Sequence, residues 1–301
     1  MPIFLTKGRW SRVSELKLSE MTSPVERIEA ARPGLTKKQL KITEYMLANL
    51  DTVTFSTLAG LSKACGVSET CMLRLAAKLG YSGFTDMQQA FRLFVRSRIA
   101  MNKQQKNGAD IGDDSNGILQ KIMNKGIESI KRTMSSINPE HFRKAVELLC
   151  GAKRVFLFGS RSSASLIEYF AFELSGIRDN VFAVSGQNSS LDLLASLTKE
   201  DVLLAVSMPR YLRVTTSVMS YVYRAGVPTV AITDALSSPL IPVAKVPLII
   251  GSESLSYGDN ILPALATVTA LINAVGAACP QSKETLARNE RFREQLNLYL
   301  K

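Results

Sequence analysis

The chain is 301 residues long and 46% hydrophobic, enough to build more than one buried core. It carries 37 Lys+Arg against 26 Asp+Glu, a net charge of +11, which points to acidic or phosphorylated partners. A single histidine excludes sites that need several imidazole ligands, and no Cys/His cluster suggests zinc, so neither a metal nor a cofactor is expected.

No apolar run is long and uninterrupted enough to predict a membrane span. The segment 261–279, rich in Ala and Thr, reads as a buried helix instead. The N-terminus MPIFLTKGRWSRVSELK lacks the apolar core of a signal peptide. Cys65, Cys71, Cys150 and Cys279 form no CxxC pair, which predicts reduced thiols and a cytoplasmic protein.

Residues 1–34 are polar and mixed, and read as an N-terminal extension that starts as a loose tail. Thr36-Lys37-Lys38-Gln39 matches a capping box. The helix it opens gathers Leu40, Ile42 or Thr43, Tyr45, Met46, Leu47 and Leu50 on one flank.

The stretch from Ser56 to Phe84 contains two apolar-periodic segments separated by Cys65-Gly66-Val67. Gly66 permits a sharp turn, and Ser68 can cap the following helix, so the two helices form a helix–turn–helix. At 100° per residue, Met72, Leu75, Ala76 and Leu79 share the inner side, and Thr70, Arg74 and Ala77 the outer. Arg74 has the reach for a guanine edge, and Lys78 for a phosphate. An ordinary surface helix has the same amphipathicity, so the charge distribution decides. Residues 1–100 hold +7 of the net charge and the remaining 201 only +4. A basic helix–turn–helix third predicts salt-dependent binding to double-stranded DNA.

A second capping box is predicted at Thr85-Asp86-Met87-Gln88, opening a helix with Met87, Phe91, Phe94 and Arg98 at helical spacing. Arg92 and Arg96 are expected on its outer side, toward phosphate. Residues 102–117, polar and with three glycines, read as a linker. Helices are predicted near Ile118–Met134 and after the Asn138-Pro139 start signal.

Five short apolar runs follow, at 155–158, 181–184, 202–206, 229–232 and 246–250. Each of the first four is followed by a polar loop and a helical segment, the pattern of buried parallel strands. The expected fold is therefore an all-α helix–turn–helix domain joined to an α/β doubly wound parallel sheet of flavodoxin type.

In such sheets ligands bind beyond the carboxyl ends of the strands. The loops there are Gly159-Ser160-Arg161-Ser162-Ser163, Ser185-Gly186-Gln187-Asn188-Ser189-Ser190 and Ser207-Met208-Pro209-Arg210-Tyr211. Glycine, hydroxyls and a helix N-terminus favour an anion. Glu253, with Ser254 and Ser256, follows the last strand and is expected to line the same pocket.

With these residues in view, Leu35–Arg92 resembles the helix–turn–helix domain of the RpiR family of bacterial transcriptional regulators. The resemblance is carried by Leu35-Thr36, Cys65-Gly66-Val67-Ser68, Arg74 and Lys78-Leu79-Gly80-Tyr81-Ser82-Gly83-Phe84. Residues 120–280 look like the SIS (sugar isomerase) domain that follows it in that family. The resemblance implies Ser68, Thr70, Arg74, Lys78 and Tyr81 at operator DNA. It also implies Ser160, Ser162, Ser163 and Ser207 around a sugar phosphate, and the loop positions of Arg161, Arg210 and Glu253 add them to the expected site of an anionic metabolite. A homodimer or homotetramer is expected.

The third loop departs from the family's Ser-x-Ser-Gly-x-Thr. Only Ser207 is kept, and Arg210 either clamps an anion or fills the pocket. The resulting division is 1–34 extension, 35–101 helix–turn–helix domain, 102–117 linker, 118–280 SIS-like domain and 281–301 C-terminal helix. A SIS-type sugar-phosphate isomerase is the alternative. It requires an acid/base, and the one histidine, His141, lies upstream of the first strand, away from the loops.

Overall fold

A computed structural model describes residues 23–110, 114–186, 189–251, 253 and 259–299. The chain divides into two compact units, 1–98 and 99–301.

The first unit is helical: α1 (Pro24–Ala31), α2 (Lys37–Ala48), α3 (Leu50–Phe55), α4 (Leu58–Ala64), α5 (Glu69–Lys78) and the beginning of α6 (Phe84–Asp110). Ile28 of α1 is buried with Ile42, Met46, Val53, Leu61, Met72, Leu75, Leu79, Met87 and Phe91 in one core. The segment read as an extension therefore contributes a packed helix to the first unit. Thr36 and Gln39 form the predicted capping box. The helix stops earlier than expected, however, because Asn49 breaks it at φ −126° and Leu50 opens α3.

The second predicted capping box does not form. Asp86, in the first turn of α6, instead reaches back to the preceding loop, its carboxylate accepting from Ser82 N at 2.9 Å. Gln88 is turned inward, where it donates to the Val53 and Ser56 carbonyls. Residues 102–110, read as linker, continue α6.

The second unit takes up the end of α6 and continues with α7 (Ser115–Ser136) and α8 (Pro139–Gly151). Then follow β1 (Val155–Gly159), α9 (Ser162–Ser175), β2 (Val181–Ser185), β3 (Val202–Val206), α10 (Arg213–Arg224), β4 (Thr229–Thr233), β5 (Val246–Ile249), α11 (Leu262–Ala278) and α12 (Ser282–Gln295). The strands pair in parallel in the order β2-β1-β3-β4-β5.

Side chains alternate between two cores, as the two-residue period of a strand requires. Val155, Leu157, Val202 and Leu204 face α8, α9 and α11. Phe156, Phe158, Leu203 and Ala205 face α10 and the 3-10 segments. Of the first four strands, β1 and β3 lead into α-helices. β2 and β4 lead into 3-10 segments at Ser189–Ser196 and Ile241–Val243, which corrects the expectation of a helix after each of the first four strands.

The expectation of four free thiols is also corrected. Cys150 at the end of α8 and Cys279 at the end of α11 are joined by a disulfide, their Cα atoms 5.5 Å apart. Among the described residues, no single helix is long and apolar enough to cross a membrane.

Candidate DNA-reading surface and ligand pocket

In the first unit, Gly66 adopts φ +65° between α4 and α5, a conformation a side chain would strain. Ser68 caps α5, its hydroxyl accepting from Cys71 N at 3.3 Å. Met72, Leu75, Ala76 and Leu79 are fully buried, so the inner face is the predicted one. Thr70, Leu73, Arg74 and Ala77 are exposed together on the outer face. Arg74 has no partner among the described residues and is available to a base edge.

Two predicted contacts are placed differently. Lys78 is exposed, but its ammonium donates to the Gly34 carbonyl at 2.8 Å and to Gln39 Oε1 at 3.3 Å, holding the end of α5 to the start of α2. Tyr81 is a core residue, 5% exposed, with the Arg27 guanidinium 4.2 Å from its ring centroid. Burial pushes its hydroxyl up to about 12, against the opposing effect of Arg27. A ring held this way cannot reach DNA, which corrects its assignment. Arg92 is likewise engaged, donating to the Thr54 carbonyl at 2.8 Å.

In the second unit a pocket of about 100 Å³ opens between the carboxyl ends of β1 and β3. Strand order reverses between these neighbours: the chain leaves β1 for α9 on one face and β3 for α10 on the other. The diverging loops leave a crevice, as at other topological switch points. Ser160, Arg161, Ser162, Ser163, Ser207 and Arg210 all line it.

Several features mark this pocket. The Ser160 hydroxyl is buried with no hydrogen-bond partner among the described residues. It lies so close to Gly186 that a Cβ there would come within 2.3 Å. Arg161, at φ 55° and ψ −126°, makes the turn into α9, with Ser163 N donating to Ser160 O at 3.2 Å. That conformation belongs to glycine, so an arginine there is strained. Arg210, on the opposite wall, is also at positive φ, 72°. Tyr211 anchors its loop by donating to Asp234 at 2.5 Å.

Sequence reasoning missed Asp259 and Thr215, which also line the pocket. Asp259 accepts from Ser162 Oγ at 3.0 Å and from Arg210 at 3.4 Å. Its signal was available: an acidic residue just before the Pro263 that starts the last core helix, at the carboxyl edge of the sheet. Thr215, buried in α10, had none.

Glu253 is not in the pocket. It is exposed and paired with Arg132 at 2.6 Å and Lys125 at 3.3 Å. Partial burial raises its carboxyl, but these two cations outweigh that and hold it below the usual carboxylate range. Among the described residues of the second loop none lines the cavity, although Gly186 closes behind Ser160. Gln187, Asn188, Ser254 and Ser256 lie outside the described residues.

Comparison with known proteins agrees with both halves. Residues 22–101 match the helix–turn–helix domain of the rpiR family, and residues 148–274 match the SIS domain. The chain belongs to the RpiR family of transcriptional regulators. An HTH-type transcriptional regulator of Haemophilus influenzae is 28% identical over 92% of this chain and 96% of its own. The sugar isomerase domain of an RpiR transcription factor from Sphaerobacter thermophilus is 26% identical over 58% of this chain and 98% of its own, with a TM-score of 0.55. NanR of Vibrio vulnificus, solved in complex with ManNAc-6P, shares the fold. Its TM-score is 0.55 at 20% identity, covering 91% of this chain and 99% of that one. The regulator thus combines a DNA-binding and a SIS unit in the order its sequence predicts.

Proposed function

We propose that this RpiR-type regulator senses an anionic metabolite, a phosphorylated sugar or related acid, in the pocket between β1 and β3, and that occupancy controls binding of α5 to operator DNA. The observation that carries the reading is the orphaned Ser160 hydroxyl. A buried donor without a partner costs about 1–3 kcal/mol, and a ligand oxygen at this site would satisfy it. The N-terminus of α9, the serine hydroxyls beside it and the flanking Arg161 and Arg210 suit a phosphate. ManNAc-6P bound to NanR is a phosphosugar in the complex of a protein of the same fold.

Action on operator DNA implies a cytoplasmic protein, and a homodimer or homotetramer would set two recognition helices about one DNA turn apart, roughly 34 Å. Isomerase chemistry has less support. Aldose–ketose interconversion needs an acid/base at the reacting carbons. His141 Nδ1 is instead engaged with the Pro247 carbonyl at 3.0 Å, and the pocket lining holds no histidine.

Titration of upstream DNA should show Arg74→Ala binding about 10- to 100-fold more weakly with its melting temperature unchanged, the effect of losing one base-edge contact. Undiminished binding would remove α5 from the role of recognition helix. In a thermal-shift series with sugar phosphates, Ser160→Ala should abolish the ligand-induced shift without destabilising the unliganded protein. A shift equal to that of the native chain would place the ligand elsewhere.

A further inference from the structure

The pocket and α7 meet at two consecutive residues. Asp259 points into the pocket, tying Ser162 of the first loop to Arg210 of the third. Asn260 engages the opposite side. Its Nδ2 donates to Ser129 Oγ of α7 at 3.0 Å and to the Glu253 carbonyl at 2.9 Å, and its Oδ1 accepts from Leu262 N at 3.2 Å. Leu262 then sits over Gly126 of α7, so closely that a Cβ on Gly126 would approach it to 2.6 Å.

The helix receiving these contacts is unusual. α7 buries Gly126, Ser129 and Thr133, while Leu119, Met123, Ile127 and Met134 are exposed. A surface helix ordinarily buries its apolar stripe. Alongside the Leu262 contact and the half-buried Ile122 and Ile130, the seat of α7 contains several hydrogen bonds. Besides Ser129, Thr133 accepts from Gly251 N at 2.9 Å, and Ser136 donates to the Ile249 carbonyl at 2.8 Å. Each such bond contributes little net stability, so the seat responds to the loss of one or two.

An anion entering between the first and third loops meets Asp259 first. It competes for the same hydroxyl and guanidinium, and it repels the carboxylate at short range. We infer that Asp259 is the sensing residue of the pocket: a bound anionic group displaces its carboxylate from Ser162 and Arg210, and Asn260 passes that movement to α7. This rests on the pocket reading above. α7 is the first helix of the chain after α6, so its seat lies on the covalent path from ligand to DNA-binding unit.

Hydrogen exchange of the full-length protein, with and without inorganic phosphate, tests the proposal, with phosphate binding followed separately by calorimetry. In the native chain, phosphate should speed exchange in α7 several-fold. Asn260→Ala should bind phosphate within about twofold of the native chain while α7 no longer responds. Ser129→Ala, which removes the acceptor on α7 and leaves Asn260 in place, should behave the same way. Asp259→Asn should bind phosphate about 5- to 10-fold more tightly, because the competing charge is gone. Native-like α7 responses in both Asn260→Ala and Ser129→Ala, or unchanged affinity in Asp259→Asn, would overturn the relay and leave the pocket intact. Absence of phosphate binding to the native chain would remove the pocket reading itself and the relay with it.

Discussion

Tyr81 and Ser160 are both buried polar side chains whose hydroxyls lack a partner among the described residues, yet they call for opposite readings. Tyr81 is packed in the core of the first unit under Arg27. Ser160 lines an open crevice. Replacing Tyr81 by Phe removes an unsatisfied buried group while keeping the ring, so the variant should be as stable as the native chain or more so, by up to about 1 kcal/mol, with DNA affinity unchanged. A loss of DNA affinity at constant stability would put Tyr81 back at the interface. Lys78 is a milder case of the same kind: its charge is exposed, but its donors serve Gly34 and Gln39. Sequence pattern marks such residues by type and spacing, whereas the direction a side chain takes depends on neighbours distant in the chain.

Among the elements, α5 was fully legible because its apolar period, its Ser68 cap and the Gly66 turn are local features. β1 and β3 were legible for the same reason, as continuous apolar runs buried on both faces. Their alignment is held at the amino end by a pair no local pattern announces. Arg154, just before β1, donates to both oxygens of Asp201, just before β3, at 2.9 and 2.7 Å. Thr198 adds its N–H and hydroxyl. Burial raises the Asp201 carboxyl, but these donors together outweigh it and lower the value to about 2, from an ordinary 3.8. A carboxylate depressed on folding contributes stability that is present above its unfolded value and disappears as pH falls through the folded one. Denaturant melts of the native chain should therefore lose about 2 kcal/mol between pH 4 and pH 2 relative to Asp201→Asn. Parallel pH profiles for the two proteins would refute the assignment. α7 was found from its position in the chain, but its buried Gly126–Ser129–Thr133 face was not, since periodicity alone assigns the apolar side to the interior.

For the molecule as a whole, net charge is concentrated where the recognition helix lies, +7 within residues 1–100. DNA affinity should fall steeply and linearly on a log–log plot against salt, with a slope set by the number of phosphates neutralised. Arg74→Ala should weaken binding mainly at its preferred sequence, and Arg96→Ala should reduce the slope for all sequences equally. A salt-independent affinity would show that the basic third does not engage a phosphate backbone.

The sequence by itself determined the two units, the parallel α/β character of the second, the recognition helix, and the loops after β1 and β3. All of these follow from periodicity, caps and glycine turns within a few residues of one another. Only the tertiary structure decided which residues share a site. Asp259 reaches Ser162 across 97 positions of sequence. Cys150 meets Cys279 across 129. Glu253 turns away to Arg132, and Tyr81 turns inward. Such pairings depend on how strands and helices are ordered in space, and the strand order β2-β1-β3-β4-β5 that creates the pocket is a property of packing rather than of any local stretch of chain.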